Sequence, residues 1–365
     1  MFNISEWVYA AEGNRNVVLR YIGNSPDLQG KVLRLQKYDP TIDVDLPVSK
    51  ADAYFALDFA NHVITPLLGQ EYVVRLTLVD IPRDFLVAAS EKIIQDRPEH
   101  RCIHNINVNV TWAFLAPDLT YRSRLTIEIK PKWGFLPSSE YIAKENKEMK
   151  SRVCRFCMHS WLKHRRDTQY CPLDLYSMKN DRMKRALQAL AQEPQHDKFN
   201  ASYPRDSDRQ LDPIQVSLAV LQKEPVLPRL AYLQRRLDAL DVEGILPLYE
   251  KHKVESWPVH DIELWKQVVR DMDSPEKTDR QRVLEFVLSM TFKDCSVFIS
   301  ICESESTIDL EDGSRLPYHI KVIDLDMKKI SKLRYWYDLD QRIVKHAIQH
   351  QLNKVCYDHE ANGQY

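Results

Sequence analysis

Glycine is scarce in this 365-residue chain, which has 8 glycines beside 19 prolines. The usual share of glycine is about 7%, so a phosphate site assembled from several glycine-rich loops is excluded. No apolar run approaches the roughly 18 residues that a membrane-spanning helix requires. The first residues also lack the basic and apolar regions of a secretory signal. We therefore expect a soluble intracellular protein with no membrane partner.

The signature motifs of several enzyme classes are missing as well. The chain has no G-x-x-x-x-G-K-[ST], G-x-G-x-x-G, H-E-x-x-H or G-x-S-x-G, and no H-R-D or D-F-G triplet. These absences disfavour P-loop NTPases, Rossmann enzymes, zincins and ordinary protein kinases. Seven cysteines, an odd number, are typical of a reducing compartment.

Charge is balanced over the whole chain but not along it. Lys and Arg number 51 and Asp and Glu number 52, a formal net charge of -1. Residues 128–166 nevertheless contain ten Lys or Arg and four Glu, which points to a polyanion as partner. Lys328 and Lys332, four residues apart, would share one face of a helix. A solvated basic surface is the commoner meaning of such patterns, and that alternative stays open.

Two alternating segments near the C-terminus predict an antiparallel hairpin. Apolar residues alternate over 297–301 and again over 320–322, with turn chemistry at Asp312-Gly313 between them. Such pairing would bring Asp294 and Asp324 to the same end of the sheet. Two nearby carboxylates suit Mg²⁺ that also binds nucleotide phosphates, so a phosphoryl-transfer site is one hypothesis. From spacing alone, two exposed loop acids are the commoner interpretation.

The cysteines of the basic middle have the spacing of part of a zinc site. Cys154 and Cys157 form a C-x-x-C pair, and His159, His164 and Cys171 follow at irregular spacing. Zinc sites usually close with a second regular pair. We therefore favour buried, reduced thiols, with zinc as the alternative.

Residues 192–228 are polar and contain prolines, apart from a short apolar run. This composition predicts a poorly ordered loop excursion outside the core.

Several segments in a fixed order resemble the inositol-pentakisphosphate 2-kinase family, closest to its animal members. They are Glu128–Phe135, Cys154–His159, Cys171–Ser177, Lys293–Ser296 and Asp324–Lys328. The resemblance implies a two-lobed, kinase-like α+β fold with ATP between the lobes. The smaller N-terminal lobe, with an antiparallel sheet and a helix, would cover residues 1–117, and the larger lobe, 118–365, would hold the inositol phosphate.

The activity that the resemblance implies is an ATP- and Mg²⁺-dependent phosphorylation. Inositol 1,3,4,5,6-pentakisphosphate would be phosphorylated on its 2-hydroxyl to the hexakisphosphate. We expect a monomer in the cytoplasm and nucleus, with no obligate nucleic-acid partner. Two alternatives remain: a non-catalytic basic platform for polyphosphates or RNA, and an inositol phosphate kinase of other position specificity.

The resemblance also implies roles for individual residues. Asp294 and Lys130 match catalytic positions, and Asp294 and Asp324 match metal-binding ones. Cofactor contacts match Glu12, Gly13, Asn14, Asn16, Arg34, Asp118 and Asp324, and substrate contacts match Arg101, Lys132, Lys163, Lys328 and Lys332.

This chain departs from the family pattern in three places. Ala11 replaces the first glycine of the family's G-E-G turn, and Gln195–Asp197 lacks the family's Asn-Asn pair. No cysteine lies between Cys171 and Cys295, where plant members have a zinc site. We therefore do not expect that plant-type site here.

Overall fold

The structure, a computed structural model, describes residues 2–13, 15–38, 49–165, 167–192, 198–204, 211–252, 257 and 259–358. The predicted α+β class is confirmed, since antiparallel sheets and separate helices make up the fold. The chain forms two compact units, one of Met1–Asp58 with Val74–Tyr121 and the other of Phe59–Val73 with Arg122–Tyr365. In the described part of the chain, no helix is long and apolar enough to cross a membrane.

The first unit is built on a five-stranded antiparallel sheet in the order β1-β2-β3-β5-β4. Alternation explains its core: Val17, Leu19 and Tyr21 point to the buried side of β2, and their neighbours do not. The helix α3 packs its Phe85 and Leu86 into the same apolar cluster. The strands are β1 Trp7–Glu12, β2 Asn16–Tyr21, β3 Lys31–Gln36, β4 Thr77–Asp80 and β5 Trp112–Pro117, and α3 is Arg83–Lys92.

One helical run passes from the first unit into the second. It consists of α1 (Lys50–Phe59), a π-helical turn (Ala60–Ile64) and α2 (Thr65–Leu68). Gly69 ends it with φ of 103°, a left-handed value that favours glycine. The chain thus changes unit within this run, again between residues 73 and 74, and a third time after residue 121, so residues 59–73 belong with the larger unit.

A four-stranded antiparallel sheet, in the order β11-β8-β6-β7, forms the centre of the second unit. Its strands are β6 Leu125–Ile129, β7 Phe199–Ser202, β8 Ser296–Ile301 and β11 His319–Ile323. Ser296 pairs with Ile323, so Asp294, two residues before β8, and Asp324, directly after β11, lie at the same end of the sheet, as the alternation predicts. The connection is longer than a simple hairpin, because β9 (Thr307–Asp309) and β10 (Arg315–Pro317) form a separate two-stranded sheet.

Helices make up most of the rest of the second unit. They are α4 Lys144–Arg152, α5 Arg155–His164, α6 Pro172–Leu175, α7 Asn180–Gln192, α8 Pro213–Lys223, α9 Val226–Leu237, α10 Asp241–Lys251, α11 Ile262–Arg270, α12 Asp279–Lys293 and α13 Leu333–Gln349. Short 3-10 turns occur at Ile4–Glu6 and Glu99–Arg101 in the first unit and at Ile330–Lys332 before α13.

The predicted loop excursion over 192–228 is wrong for much of that segment. Val216, Val220 and Leu221 of α8 are fully buried, and α9 begins at Val226. The prediction took proline as a sign of a loop, but Pro213 occupies the first turn of α8, where its missing N–H costs nothing. Asp212 caps this helix by accepting a hydrogen bond from the Ile214 N–H at 2.8 Å. Residues 193–197 and 205–210 lie outside the described part.

A buried lysine joins three elements of the second unit. The Nζ of Lys150 in α4 lies 2.7 Å from Asp241, 3.1 Å from Glu243 and 2.9 Å from Asp340. Burial opposes its charge, but these carboxylates raise the pKa of Lys150 above its ordinary value. The three acids therefore form an ion-pair cluster around the ammonium that ties α4, α10 and α13 together.

Candidate active site

Asp294 is an exposed carboxylate held between two lysines at the end of the central sheet. Lys132 Nζ lies 3.2 Å from Oδ1, and Lys328 Nζ lies 3.1 Å from Oδ2. Contact with neighbouring groups removes part of its hydration and favours protonation, but the lysine charges outweigh this and hold the pKa of Asp294 below its ordinary value. The side chain is 60% exposed, so an ionised acid faces solvent with a cation on either side.

Asp324 follows β11 in a left-handed conformation, with φ of 63°. Desolvation, and then the charge of Glu128, raise the pKa of Asp324, whereas Lys130 lowers it. Glu128 and Lys130 both come from β6 and the residue after it, with Lys130 Nζ 3.6 Å from Glu128 Oε1. Ser296 donates a hydrogen bond to the same Glu128 oxygen at 2.8 Å. The sheet end therefore gathers three carboxylates among three lysines.

Asp294 is anchored through the residue before it. Lys293 is buried, pairs with Asp238 and donates to Ser289 Oγ at 2.9 Å. Its Nζ also lies 4.2 Å from the centre of the Trp133 ring. Burial lowers the pKa of Lys293 and raises that of Asp238. Removing either partner would leave an uncompensated buried charge, so this pair fixes the last turn of α12.

Two other lysines predicted to bind the substrate, Lys163 and Lys332, lie in separate segments of the second unit. Lys163 is exposed near the end of α5, and Lys332 is exposed in the turn before α13. One helical turn before Lys163, burial and the charges of Arg155 and Lys163 lower the pKa of His159 to about 3. This face of α5 is therefore strongly cationic while its histidine stays neutral.

In the first unit, the structure corrects the expected role of Glu12. Arg97 donates to both carboxylate oxygens at 3.0 and 2.9 Å, and Lys37 pairs with it as well. The carboxylate is 1% exposed. Burial opposes ionisation, but the hydrogen bonds from Arg97 and Lys37 hold the pKa of Glu12 below its ordinary value. Its side chain is thus a buried structural anion and is not available to a nucleotide.

The turn that follows Glu12 closes through backbone contacts. The Gly13 N–H donates to the Asn16 carbonyl at 2.9 Å, and Lys37 Nζ donates to the Gly13 carbonyl at 3.0 Å. Asn14 lies outside the described residues. The turn between β1 and β2 is therefore held by Lys37 at its base.

Asp118 also has a structural role. Its carboxylate is 4% exposed, accepts from the Thr120 N–H at 2.9 Å and pairs with Arg20. A direct contact of the Asp118 carboxylate with a cofactor is therefore not supported.

Two arginines expected at the ligands lie in the same unit. Arg34 is half-buried on β3, and the Arg101 carbonyl accepts a hydrogen bond from Arg97 at 2.8 Å.

Comparison with known proteins decides the family. A model of the inositol-pentakisphosphate 2-kinase family matches residues 9–342. This chain belongs to the inositol-pentakisphosphate 2-kinase family. Inositol-pentakisphosphate 2-kinase of zebrafish (Danio rerio) is 28% identical, over 94% of this chain and 93% of the relative. The rice (Oryza sativa) enzyme of that name is 28% identical over 93% and 92%, and that of Cryptococcus neoformans 29% over 94% of each.

This member of the inositol-pentakisphosphate 2-kinase family is thus a kinase, a transferase by reaction class.

Gln234, which the sequence pattern did not reveal, supports the site. Gln234 in α9 is fully buried and clamps two segments of the site. It accepts from the Gly134 N–H at 2.7 Å and donates to the carbonyls of Lys132 at 3.1 Å and Phe292 at 2.9 Å. The Tyr176 hydroxyl donates to the Lys132 carbonyl at 3.1 Å. Gln234 is followed directly by Arg235 and Arg236, as in an exposed polar segment of a helix, so the local sequence carries no signal of this role.

Proposed function

We propose that this kinase transfers the γ-phosphoryl group of ATP, with Mg²⁺, to the 2-hydroxyl of inositol 1,3,4,5,6-pentakisphosphate, giving the hexakisphosphate. The observation that carries the proposal is Asp294, an exposed carboxylate of lowered pKa held between Lys132 and Lys328 at the same end of the sheet as Asp324. An acid in this setting can accept the proton of a hydroxyl group, while the lysines bind anionic groups next to it. We take the 2-hydroxyl as the acceptor because the relatives are named inositol-pentakisphosphate 2-kinase.

The donor set of the sheet end fits a hard divalent cation. Asp294 and Asp324 offer carboxylate oxygens, and both side chains are exposed, so a metal could keep several waters. Desolvation and the charge of Glu128 raise the pKa of Asp324, and a bound cation would offset both effects. Bound Mg²⁺ would neutralise charge on the phosphates during transfer. The two aspartates would hold it there.

A substrate with five phosphates requires many cationic donors at short range. Lys132 and Lys328 are already oriented by Asp294, and Lys130 is oriented by Glu128. Lys163 adds charge from α5. Each charge-assisted hydrogen bond to phosphate is worth about 1.5–3 kcal/mol, so these lysines would hold and orient the substrate by charge.

For the nucleotide, we propose fewer side-chain contacts in the first unit than the family resemblance implies. The side chains of Glu12 and Asp118 are occupied, so we assign the nucleotide to the turn at Gly13 and Asn16 and to the Arg34 guanidinium. In this proposal Glu12 acts only by ordering the turn through Lys37. The Arg34 guanidinium and the Asn16 side chain would then take the place of the glycine-rich loop that the composition excludes.

Product analysis tests the proposal directly. We expect purified protein with Mg²⁺, ATP and inositol 1,3,4,5,6-pentakisphosphate to yield the hexakisphosphate, resolved by anion-exchange chromatography. Asp294→Asn should reduce turnover at least about 1000-fold while substrate still binds, since its proton acceptor is lost. Asp309→Asn, an exposed aspartate of β9, is the matched control and should keep full activity.

The alternatives predict different results in the same assay. Another phosphorylated product from a different substrate would indicate a kinase of other position specificity. Tight binding of polyphosphates without any transfer in the wild type would indicate a non-catalytic platform. Full turnover in the Asp294 variant would remove that residue from the mechanism.

A further inference from the structure

One carboxylate ties the end of α8 to the outer edge of the central sheet. Glu224 directly follows α8 as its C-cap residue. The Tyr72 hydroxyl donates a hydrogen bond to one of its oxygens at 2.6 Å, and the Tyr318 hydroxyl donates to the other. Both tyrosines are 1% exposed, so each hydroxyl needs a partner inside the protein. We call these three residues the Glu224 network.

Both tyrosines belong to segments that hold β11. Tyr318 directly precedes this strand. The Val322 N–H, within the strand, donates to the Tyr72 carbonyl at 2.8 Å, and Val73 pairs with Val322 in a short parallel bridge. β11 stands at one edge of its sheet, beside β8. The Glu224 network therefore fixes the outer side of an edge strand.

Asp324 directly follows this strand, two residues after Val322. Its left-handed backbone, with φ of 63°, is uncommon for a residue other than glycine and persists where the surrounding structure holds it. Beyond it, the Thr291 hydroxyl of α12 donates to the Asp326 carbonyl at 3.2 Å. The Asp324 backbone thus lies between two fixed points, one at Val322 and one at Asp326, and loss of the first would let it move.

We propose that Glu224 is a positioning residue for Asp324. By binding the hydroxyls of Tyr72 and Tyr318, it fixes the edge of β11 and so the backbone that presents the Asp324 carboxylate to the catalytic cation. This role rests on the proposed function, in which Asp324 holds Mg²⁺. Glu224 acts through the strand and is not itself a metal ligand.

The chemistry of the Glu224 network suits this role. Each oxygen of one carboxylate accepts from one hydroxyl, so Glu224 joins two chain segments that are far apart in sequence. Hydrogen bonds to a carboxylate are also roughly twice as strong as those between neutral groups. Arg229 in α9 supports the same segment, since its guanidinium lies 5.9 Å from the centre of the Tyr72 ring and donates to the Leu68 carbonyl at 2.5 Å. Tyr72 is therefore fixed by its ring as well as by its hydroxyl.

Nuclear magnetic resonance of the full-length protein tests the positioning without any need for turnover. Tyr72→Phe removes one hydroxyl and keeps the ring. We expect hydrogen exchange of the Val322 amide to become about 10-fold faster and the amide resonance of Asp324 to shift. Tyr232→Phe is the matched control, because the Tyr232 hydroxyl also donates to a carboxylate, that of Asp273 at 3.3 Å, but on the surface. It should change neither signal.

Steady-state kinetics tests the consequence for the cation. Tyr72→Phe and Glu224→Leu should each raise the Mg²⁺ concentration for half-maximal activity about 10-fold, whereas KM for the inositol phosphate at saturating Mg²⁺ should change less than about 2-fold. Glu224→Gln keeps an acceptor for one hydroxyl and offers its amide to the other, so it should lie nearer to the wild type. A network that only stabilised the fold would leave the Mg²⁺ requirement unchanged.

Val322 exchange and an Asp324 resonance that both stay unchanged in folded Tyr72→Phe would overturn the inference. So would an unchanged Mg²⁺ requirement beside altered resonances, because the network would then support the strand without affecting the cation. A wild type without kinase activity would instead refute the proposed function, and the resonances would still decide whether the network positions Asp324. If Glu224→Leu fails to fold, Tyr72→Phe carries the test.

Discussion

Replacement of Gln234 by leucine should separate the two segments that carry Lys132 and Asp294. The side chain is fully buried, and leucine fills nearly the same space without any hydrogen-bonding atom. The Gly134 N–H, which is buried, then loses its partner. The Phe292 carbonyl keeps only a thiol donor, Cys295, at 3.2 Å.

The cost follows from counting the groups left unpaired. The Lys132 carbonyl is spared because the Tyr176 hydroxyl still donates to it. One buried backbone group loses its partner entirely and another keeps a weak one, and each such group costs about 1–3 kcal/mol. We therefore expect Gln234→Leu to lower the free energy of unfolding by about 2–4 kcal/mol.

Turnover should fall as well, and by more than binding. Lys132 has φ of 65°, an unfavourable backbone conformation for a lysine, and Gln234 and Tyr176 hold its carbonyl. A misplacement of about 1 Å at a reacting group can cost about 100-fold in rate. We expect kcat to fall by about that factor, with a much smaller change in KM for the inositol phosphate.

Urea denaturation and steady-state kinetics check this prediction together. Gln222→Leu, an exposed residue of α8 with one hydrogen bond to Asn180, makes the same chemical change at the surface and should shift stability by less than about 0.5 kcal/mol. A Gln234→Leu protein as stable as the control would refute the clamp. A variant that is destabilised but has wild-type kcat would show that Gln234 supports the fold without positioning the site.

Further predictions concern charge. Burial and nearby cations keep His159 neutral in the folded chain, with a pKa of about 3 against 6.5 when unfolded. The part of the free energy of unfolding that depends on neutral His159 is therefore complete above pH 6.5 and is lost as the pH falls below it. Between about pH 7.5 and 5, the wild type should lose about 2 kcal/mol more stability than His159→Gln. Equal losses in urea titrations would contradict this. Lys150→Met should destabilise the protein by about 3–5 kcal/mol by leaving buried carboxylates uncompensated, whereas the exposed Lys147→Met should not. Lys328→Met should raise KM for the inositol phosphate about 10- to 100-fold and raise the pKa of Asp294, moving the acidic limb of the pH–rate profile upward. An unchanged KM would exclude Lys328 from substrate binding.

Local patterns predicted much of the fold and the sheet end at which the two aspartates lie. Alternation over 297–301 and 320–322 was enough to pair β8 with β11 and to bring Asp294 and Asp324 to one sheet end. Strand periodicity is reliable here because one face of each strand is buried. The prediction over 192–228 was wrong because proline was taken as a breaker, although in the first turn of a helix it is favoured.

Side-chain partners distant in sequence could not be predicted. Glu12 ends β1 at the start of the segment that resembles a nucleotide loop, yet Arg97 and Lys37 occupy its carboxylate. Gln234 stands before two arginines, Arg235 and Arg236, and its role depends on carbonyls 102 and 58 residues away. Whether a polar side chain is free for a ligand depends on which groups surround it, and those come from other elements.

By itself, the sequence determined the α+β class, the family and the ends of the strands that carry the aspartates, because these depend on local periodicity and on short motifs. Tertiary structure decided which cysteines meet, which acids are buried with cations and which remain exposed. Cys356 illustrates the difference, since only the packing of the segment after α13 brings it to Cys154. Local spacing sets the direction of a side chain, but long-range packing sets its neighbours and therefore its chemistry.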